Sequence, residues 1–218
     1  MKKACFILIF TISSFTNVNC QHDYKFEYLD PITKSYANRL KDSSIDTFLI
    51  YKMNCLGGLN VQFIYQDTCE NLGFPPEIYC VWKKNAVSYI TRIEESPCYK
   101  YSSIEYGFDS IWNFIFSNME KLKYEEIKLF SSSAGNQTSR SYLEDDCFKE
   151  ILIVIKNDTI AYDLYDYLFE KCNKDHDNLN FEYNWSTEKK KLQLLTQEII
   201  STINDDMLRE KLFKYYSK

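Results

Sequence analysis

Two apolar runs rich in β-branched and aromatic residues, IDTFLIYKM (45–53) and LNVQFIYQ (59–66), flank the turn-forming CLGG at 55–58, so the pattern predicts a β-hairpin there. FPPE (74–77) forces a turn. After it, IYCVW (78–82) and AVSYITRI (86–93) predict a second hairpin across Lys83, Lys84 and Asn85. Helical signals lie on either side. Pro31 opens PITKSYANRLKDSS, which closes at Ser43-Ser44. Asp109 stands where a helix over 110–122 needs a cap. Ile111, Trp112, Ile115, Phe116 and Met119 cover more than half its circumference, which predicts the most buried helix of the domain.

The second half reads the same way. SSSAGNQTS (131–139) has loop composition. A strongly apolar strand begins at Glu150 and meets a turn at Asn157-Asp158. Beyond it Ile160, Tyr162 and Leu164 alternate as in a strand, while Ala161, Tyr165, Leu168 and Cys172 keep helical spacing. A hairpin is the preferred reading. Ser186 is placed to cap TEKKKLQLLTQEIISTI, and Asp205 to restart DMLREKLFKYY. Leu192, Leu195, Ile199, Ile203, Leu208 and Leu212 form their apolar stripe. The expected fold is α+β: antiparallel hairpins with helices, two of them C-terminal, packed on one side.

The first twenty residues stand apart. Lys2 and Lys3 precede an unbroken apolar run from Ala4 to Phe10, too short for a membrane span but suited to a secretory signal. Residues 1–20 are therefore read as a signal peptide and 21–218 as one domain. Cys20 has two readings. Cleavage after it puts Cys20 and Val18 at the last and third-last signal positions, which signal peptidase tolerates. Lipidation of Cys20 would set Asn19 and Asn17 at positions that prefer small and aliphatic residues, so cleavage ranks first.

Export changes how the cysteines are read. Cys5 leaves with the signal, and Cys20 leaves or is capped by lipid. Cys55, Cys69, Cys80, Cys98, Cys147 and Cys172 remain, an even set suited to three disulfides in an oxidising compartment. The simplest connectivity joins neighbours: Cys55–Cys69, Cys80–Cys98 and Cys147–Cys172. No C-x-x-C occurs and no histidine stands at zinc-finger spacing, so no metal is expected. The leader holds two lysines and no acid, so its removal takes the net charge from −5 to −7. That balance disfavours nucleic acid and anionic lipid as partners. The 17 % aromatic content follows a bias toward Lys, Asn, Ile, Tyr and Phe that AT-rich coding produces, so it does not by itself mark a sugar-binding surface. The sequons at Asn136, Asn157 and Asn184 are about as many as chance supplies.

Candidate chemistry is sparse. His22 lies in the polar lead, and His176 lies between Asp175 and Asp177 in a run without the glycine and distal glutamate of a calcium loop. G-x-S-x-G and the glycine-rich nucleotide motifs are absent, and no cofactor is expected. The adjacent carboxylates (Glu94-Glu95, Glu125-Glu126, Glu144-Asp145-Asp146, Asp205-Asp206) read as solvated faces. Asp163 and Asp166 among Tyr162, Tyr165 and Tyr167 resemble a sugar site in composition, and a glycan hydrolase would use them. The leading expectation is a non-enzymatic binding protein, periplasmic, secreted or envelope-anchored. It would occupy another, basic protein as an inhibitor or immunity factor does. The alternatives are a structural lipoprotein anchored at Cys20 and that carboxylate-dependent hydrolase.

Overall fold

The computed structural model describes residues 31–55, 77–93, 99–101, 103–107, 109–132, 147–173, 176–207 and 213–215. The chain opens with helix α1 (Pro31–Asp42) and strand β1 (Thr47–Cys55). It continues through β2 (Glu77–Lys84), β3 (Val87–Ile93), β4 (Tyr99–Tyr101) and β5 (Ile104–Tyr106). Helices α2 (Ser110–Ser117) and α3 (Met119–Tyr124) follow, then β6 (Cys147–Ile155) and β7 (Asp158–Tyr165). A 3₁₀ turn (Asp166–Phe169) leads to β8 (Cys172–Asn173) and β9 (His176–Asp177). Last come α4 (Phe181–Ser186), α5 (Glu188–Met207) and β10 (Phe213–Tyr215). Six strands form one antiparallel sheet in the order β5-β3-β2-β1-β6-β7, while β10 pairs with β4 and β8 with β9. The α+β class is as expected, and two helices, α4 and α5, stand toward the C-terminus; of these α5 covers the predicted TEKKKLQLLTQEIISTI helix and α4 was not predicted.

Both faces of the sheet are buried near its centre. On one face Leu49, Tyr51, Val81, Ile90, Ile151, Ile153 and Leu164 pack under α2, α3 and α5. On the other, Phe48, Ile50, Cys80, Trp82, Leu152 and Val154 pack with Ala37 and Leu40 of α1. Helices therefore lie on both sides, not one. The reason is legible in β1 and β6, whose FLIY and ILIV runs bury every residue rather than alternate ones. β1 is central, paired to β2 over 48–53 and to β6 over 47–55. With both its edges taken, it cannot form the expected hairpin with 59–66, which lies outside the described residues.

The β2–β3 and β6–β7 hairpins do form. The first turns through Asn85 (φ 51°) and Ala86 (φ 66°), the two left-handed residues of a type I′ turn. Asparagine accepts this geometry, but alanine is strained by about 1–2 kcal/mol. Glycine's greater freedom when unfolded costs about 0.5–1 kcal/mol. Ala86→Gly should therefore stabilise the protein by about 0.5–1 kcal/mol, read as a higher urea midpoint at unchanged slope; a lower midpoint would refute the turn assignment.

Helix α1 ends in a Schellman motif. The Ile45 N–H donates to the Leu40 carbonyl (2.9 Å) and the Ser44 N–H to that of Lys41 (2.9 Å), with Ser44 at φ 59°. The helix predicted over 110–122 is broken at Asn118, whose side-chain amide donates to the Phe114 carbonyl (2.9 Å). Asp109 sits at the cap position but makes no side-chain cap bond. Its carboxylate instead pairs with Lys83 (3.0 Å). Ile111, Trp112 and Ile115 are fully buried, whereas Phe116 is half exposed, so the buried stripe is narrower than the sequence suggested. At the C-terminus the cap is Thr187, whose hydroxyl oxygen accepts from the Lys190 N–H (3.3 Å). Ser186 closes α4 instead, donating to the Tyr183 carbonyl (2.7 Å). Asp205 does not restart a helix: α5 runs on to Met207, and 213–215 is strand.

Candidate functional site

The expected carboxylate pair is taken apart by the pleat. Asp163 stands directly opposite Glu150 in the β6–β7 register. Asp166, in the 3₁₀ turn, ion-pairs with Lys149, the neighbour of Glu150 whose side chain points to the opposite face. The partner of Asp163 is thus Glu150, and Glu150 is itself bound by Lys52 from β1 (3.1 Å). Together with Thr33, Ile50, Leu152 and Ala161 these carboxylates line a small cleft. It lies beside the first turn of α1. Next to it Phe148 stacks on Tyr165 (centroids 5.2 Å apart), and Tyr165 leans on Tyr167. The arrangement offers an aromatic platform and a polar notch.

A second region is built by α4 and the extended segment 125–131. Asn184, fully buried, binds both groups of Lys128: its Oδ1 accepts the Lys128 N–H (2.9 Å) and its Nδ2 donates to the Lys128 carbonyl (2.8 Å). The same Nδ2 donates to the Leu168 carbonyl (2.9 Å). Asn180 donates to the Leu129 carbonyl (2.8 Å), and the Leu179 N–H to that of Ser131 (2.8 Å). The Lys128 ammonium lies 3.9 Å from the Tyr183 ring centre. This lattice holds Leu129 (61 % exposed), Leu179 (64 %) and Tyr183 (38 %) in water on a stiff frame. Glu126 and Glu182, both exposed, lie on the same segments, and exposed Asp177 stands two residues before Leu179. Trp185 continues α4 toward Phe169, its indole N–H donating to the Phe169 carbonyl (2.8 Å).

The start of α5 is unusually buried for its composition. Glu188, Lys189 and Lys190 are each less than a tenth exposed. Glu125 reaches across to accept the Glu188 N–H (2.6 Å). Burial works to raise the Glu188 carboxyl, but hydrogen bonds from Lys191 and Lys121 hold it below the usual range. Burial lowers the Lys189 amine, opposed by Glu125 and Glu126, and its ammonium faces the Tyr162 ring.

The cysteines depart from neighbour pairing. Cys80 is a free thiol with no exposure, sunk in the core beneath α1, where burial pushes its titration well up. Cys172 is free and exposed on β8. Neither Cys80–Cys98 nor Cys147–Cys172 is therefore formed. Cys147 is disulfide-bonded, and no disulfide is complete among the described residues. The register sets Cys55 opposite Cys147. Cys20, Cys69 and Cys98 lie outside the described residues, as do His22, Asp175, Glu94-Glu95 and Glu144 to Asp146. His176 falls in β9. Of the sequons, Asn184 is buried and closed to glycosylation in the folded state, Asn157 is exposed at the β6–β7 turn, and Asn136 lies outside the described residues. Among the described residues no three His, Cys, Asp or Glu side chains converge as a metal site would need.

Sequence reading missed Asn184, Glu125 and the buried lysines. A signal for the last was present. Stepping back from Leu192 by three and four residues along α5 lands on Lys189 and Glu188, so the apolar stripe continues through the charged start of the helix. No protein family matches the chain, and no curated protein or solved structure matches it either.

Proposed function

We propose that the protein is an exported, non-enzymatic binding protein that occupies another protein, in the manner of an inhibitor or immunity factor. The observation that carries this reading is the exposed apolar set Leu129, Leu179 and Tyr183 on a frame immobilised by Asn184. Apolar side chains presented in water on a fixed backbone are the usual anchors of an interface, since less ordering entropy is lost on binding than for a loose segment. The acids beside them and the net charge of −5 favour a basic partner. Of the cysteines expected to pair in an exported chain, Cys147 is bonded while Cys80 and Cys172 are free, so this reading does not rest on a three-disulfide framework. A lipid at Cys20 would tether the domain without altering the interface.

The test is a titration against the purified partner, with Leu129→Asp and Leu179→Asp, both changes on exposed side chains that leave the core intact. Affinity should fall about tenfold or more for each, as for anchor residues generally, and the wild-type on-rate should fall with salt. Unchanged affinity in both variants would refute this surface as the interface. The Glu150–Asp163 cleft supports the hydrolase reading less well, because Lys52 already engages one of its two carboxylates.

A further inference from the structure

We propose that Asn157 is an N-glycosylation site, modified on its side-chain amide nitrogen as the chain is exported; this rests on the export proposed above. Of the three sequons, only Asn157-Asp158-Thr159 has all three residues exposed among the described residues. They form the outer end of the β6–β7 hairpin. Ile155 pairs with Asp158, so Lys156 and Asn157 alone make the turn, with Lys156 left-handed at φ 54°. The turn is tied down on both sides of Asn157. The Lys156 N–H donates to the Asp46 carbonyl (2.6 Å), and Asp158 pairs with Lys123 (4.0 Å). The acceptor amide thus stands at a fixed tip in solvent, with the exposed Thr159 two residues on. That chance supplies sequons at about this frequency does not alter their chemistry, because a transferase reads the triplet and its accessibility.

The co-reactant is an oligosaccharide carried on a lipid pyrophosphate. The amide nitrogen bonds to its anomeric carbon, the anomeric C–O bond breaks, the lipid pyrophosphate leaves with the electron pair, and the nitrogen loses one proton. Nothing is oxidised or reduced. Asn184 cannot take the same step and keep this fold. Its side chain is fully buried, and its Nδ2 donates to both the Lys128 and the Leu168 carbonyls, whereas a glycan would replace one of the two hydrogens. The place of Asn157 also suits the proposed interface. From the hairpin tip β7 runs eight residues, roughly 25 Å, toward Leu168, whose carbonyl Asn184 holds. A glycan on Asn157 is therefore rooted at the far end of the strand from that lattice. It also stands at the start of β7, the last strand of the sheet, where a bulky polar chain hinders edge pairing with a second molecule.

The experiment isolates the folded protein from its own host, reads its N-terminus and removes N-glycans with a peptide N-glycosidase in heavy-oxygen water, which turns each occupied asparagine into labelled aspartate. Peptide mass spectrometry should find the label on Asn157 and none on Asn184. Thr159→Ala should abolish the Asn157 label, while Thr159→Ser, which keeps the hydroxyl, should retain it; the side chain is exposed, so neither change disturbs the core. A chain that has lost residues 1–20 yet carries no label on Asn157 would overturn the proposal and leave export standing. A chain that keeps residues 1–20 and carries no label would overturn export and the proposal together. Label on Asn184 in the folded protein would overturn the choice between the two sequons.

Discussion

Trp112→Ala is expected to cost about 4–5 kcal/mol, a large part of the roughly 5–15 kcal/mol that holds a domain of this size folded. The side chain is fully buried at the junction of α2, the sheet and α5. Its indole N–H donates to the Ser88 hydroxyl oxygen on β3 (3.1 Å), and Ser88 is itself 3 % exposed. Truncation removes a large apolar volume that a sheet and a long helix cannot both move to fill. It also strands the serine hydroxyl, for about another 1 kcal/mol. Trp112→Phe separates the two effects: it keeps most of the volume, loses the hydrogen bond and should cost about 1–2 kcal/mol. Urea unfolding followed by far-ultraviolet circular dichroism gives both numbers. Equal losses for the two variants would mean that the hydrogen bond, not the packing, anchors α2.

Trp112 also shows what was legible in advance. Its burial followed from helical spacing with Ile111 and Ile115, because a local period reports a local face. The two hairpins β2–β3 and β6–β7 were legible for the same reason: strand, short turn and strand are adjacent in the chain. The central place of β1 was not. Its partner β6 starts about ninety residues later in sequence, and nothing in a run such as FLIY says which distant strand will lie beside it. The CLGG turn pointed to the nearest candidate, and long-range pairing overrode it. The C-terminus failed differently. DMLREKLFKYY has helical composition, yet 213–215 pairs with β4, and tertiary pairing of this kind overrides propensity.

The candidate sites divide along the same line. Asp163 was singled out from its own neighbourhood, but its true counterpart, Glu150, is a cross-strand residue that only the register reveals. Asp166 falls into the same site on composition alone, among Tyr162, Tyr165 and Tyr167, but composition does not say that the strand ends between the two and turns Asp166 toward Lys149. Asn184 was noticed only as a sequon. Nothing local marks an asparagine as the clamp of a segment some fifty-six residues earlier.

Asn184→Ala is therefore expected to be costly and also local. The substitution removes the partner of the Lys128 N–H and carbonyl and of one acceptor site on the Leu168 carbonyl, all bound by a side chain that is itself fully buried. Unsatisfied buried groups cost about 1–3 kcal/mol each, so a total of about 3–5 kcal/mol is reasonable once some relaxation is allowed. Asn184→Asp does little better, since a carboxylate can accept from Lys128 but cannot donate to two carbonyls. Hydrogen exchange distinguishes a local from a global effect. Amides of 125–131 and of α4 should exchange at least about a hundredfold faster, whereas those of β1 and β6, held by their own ladders, should change less. Leu129, Leu179 and Tyr183 would then have to be ordered at the moment of binding. Affinity for a protein partner should drop through that entropy even though none of the three has been altered. Equal acceleration across the whole sheet would place Asn184 in the common core and separate it from the interface. Unchanged exchange in 125–131 would mean that the segment is held by something other than this side chain.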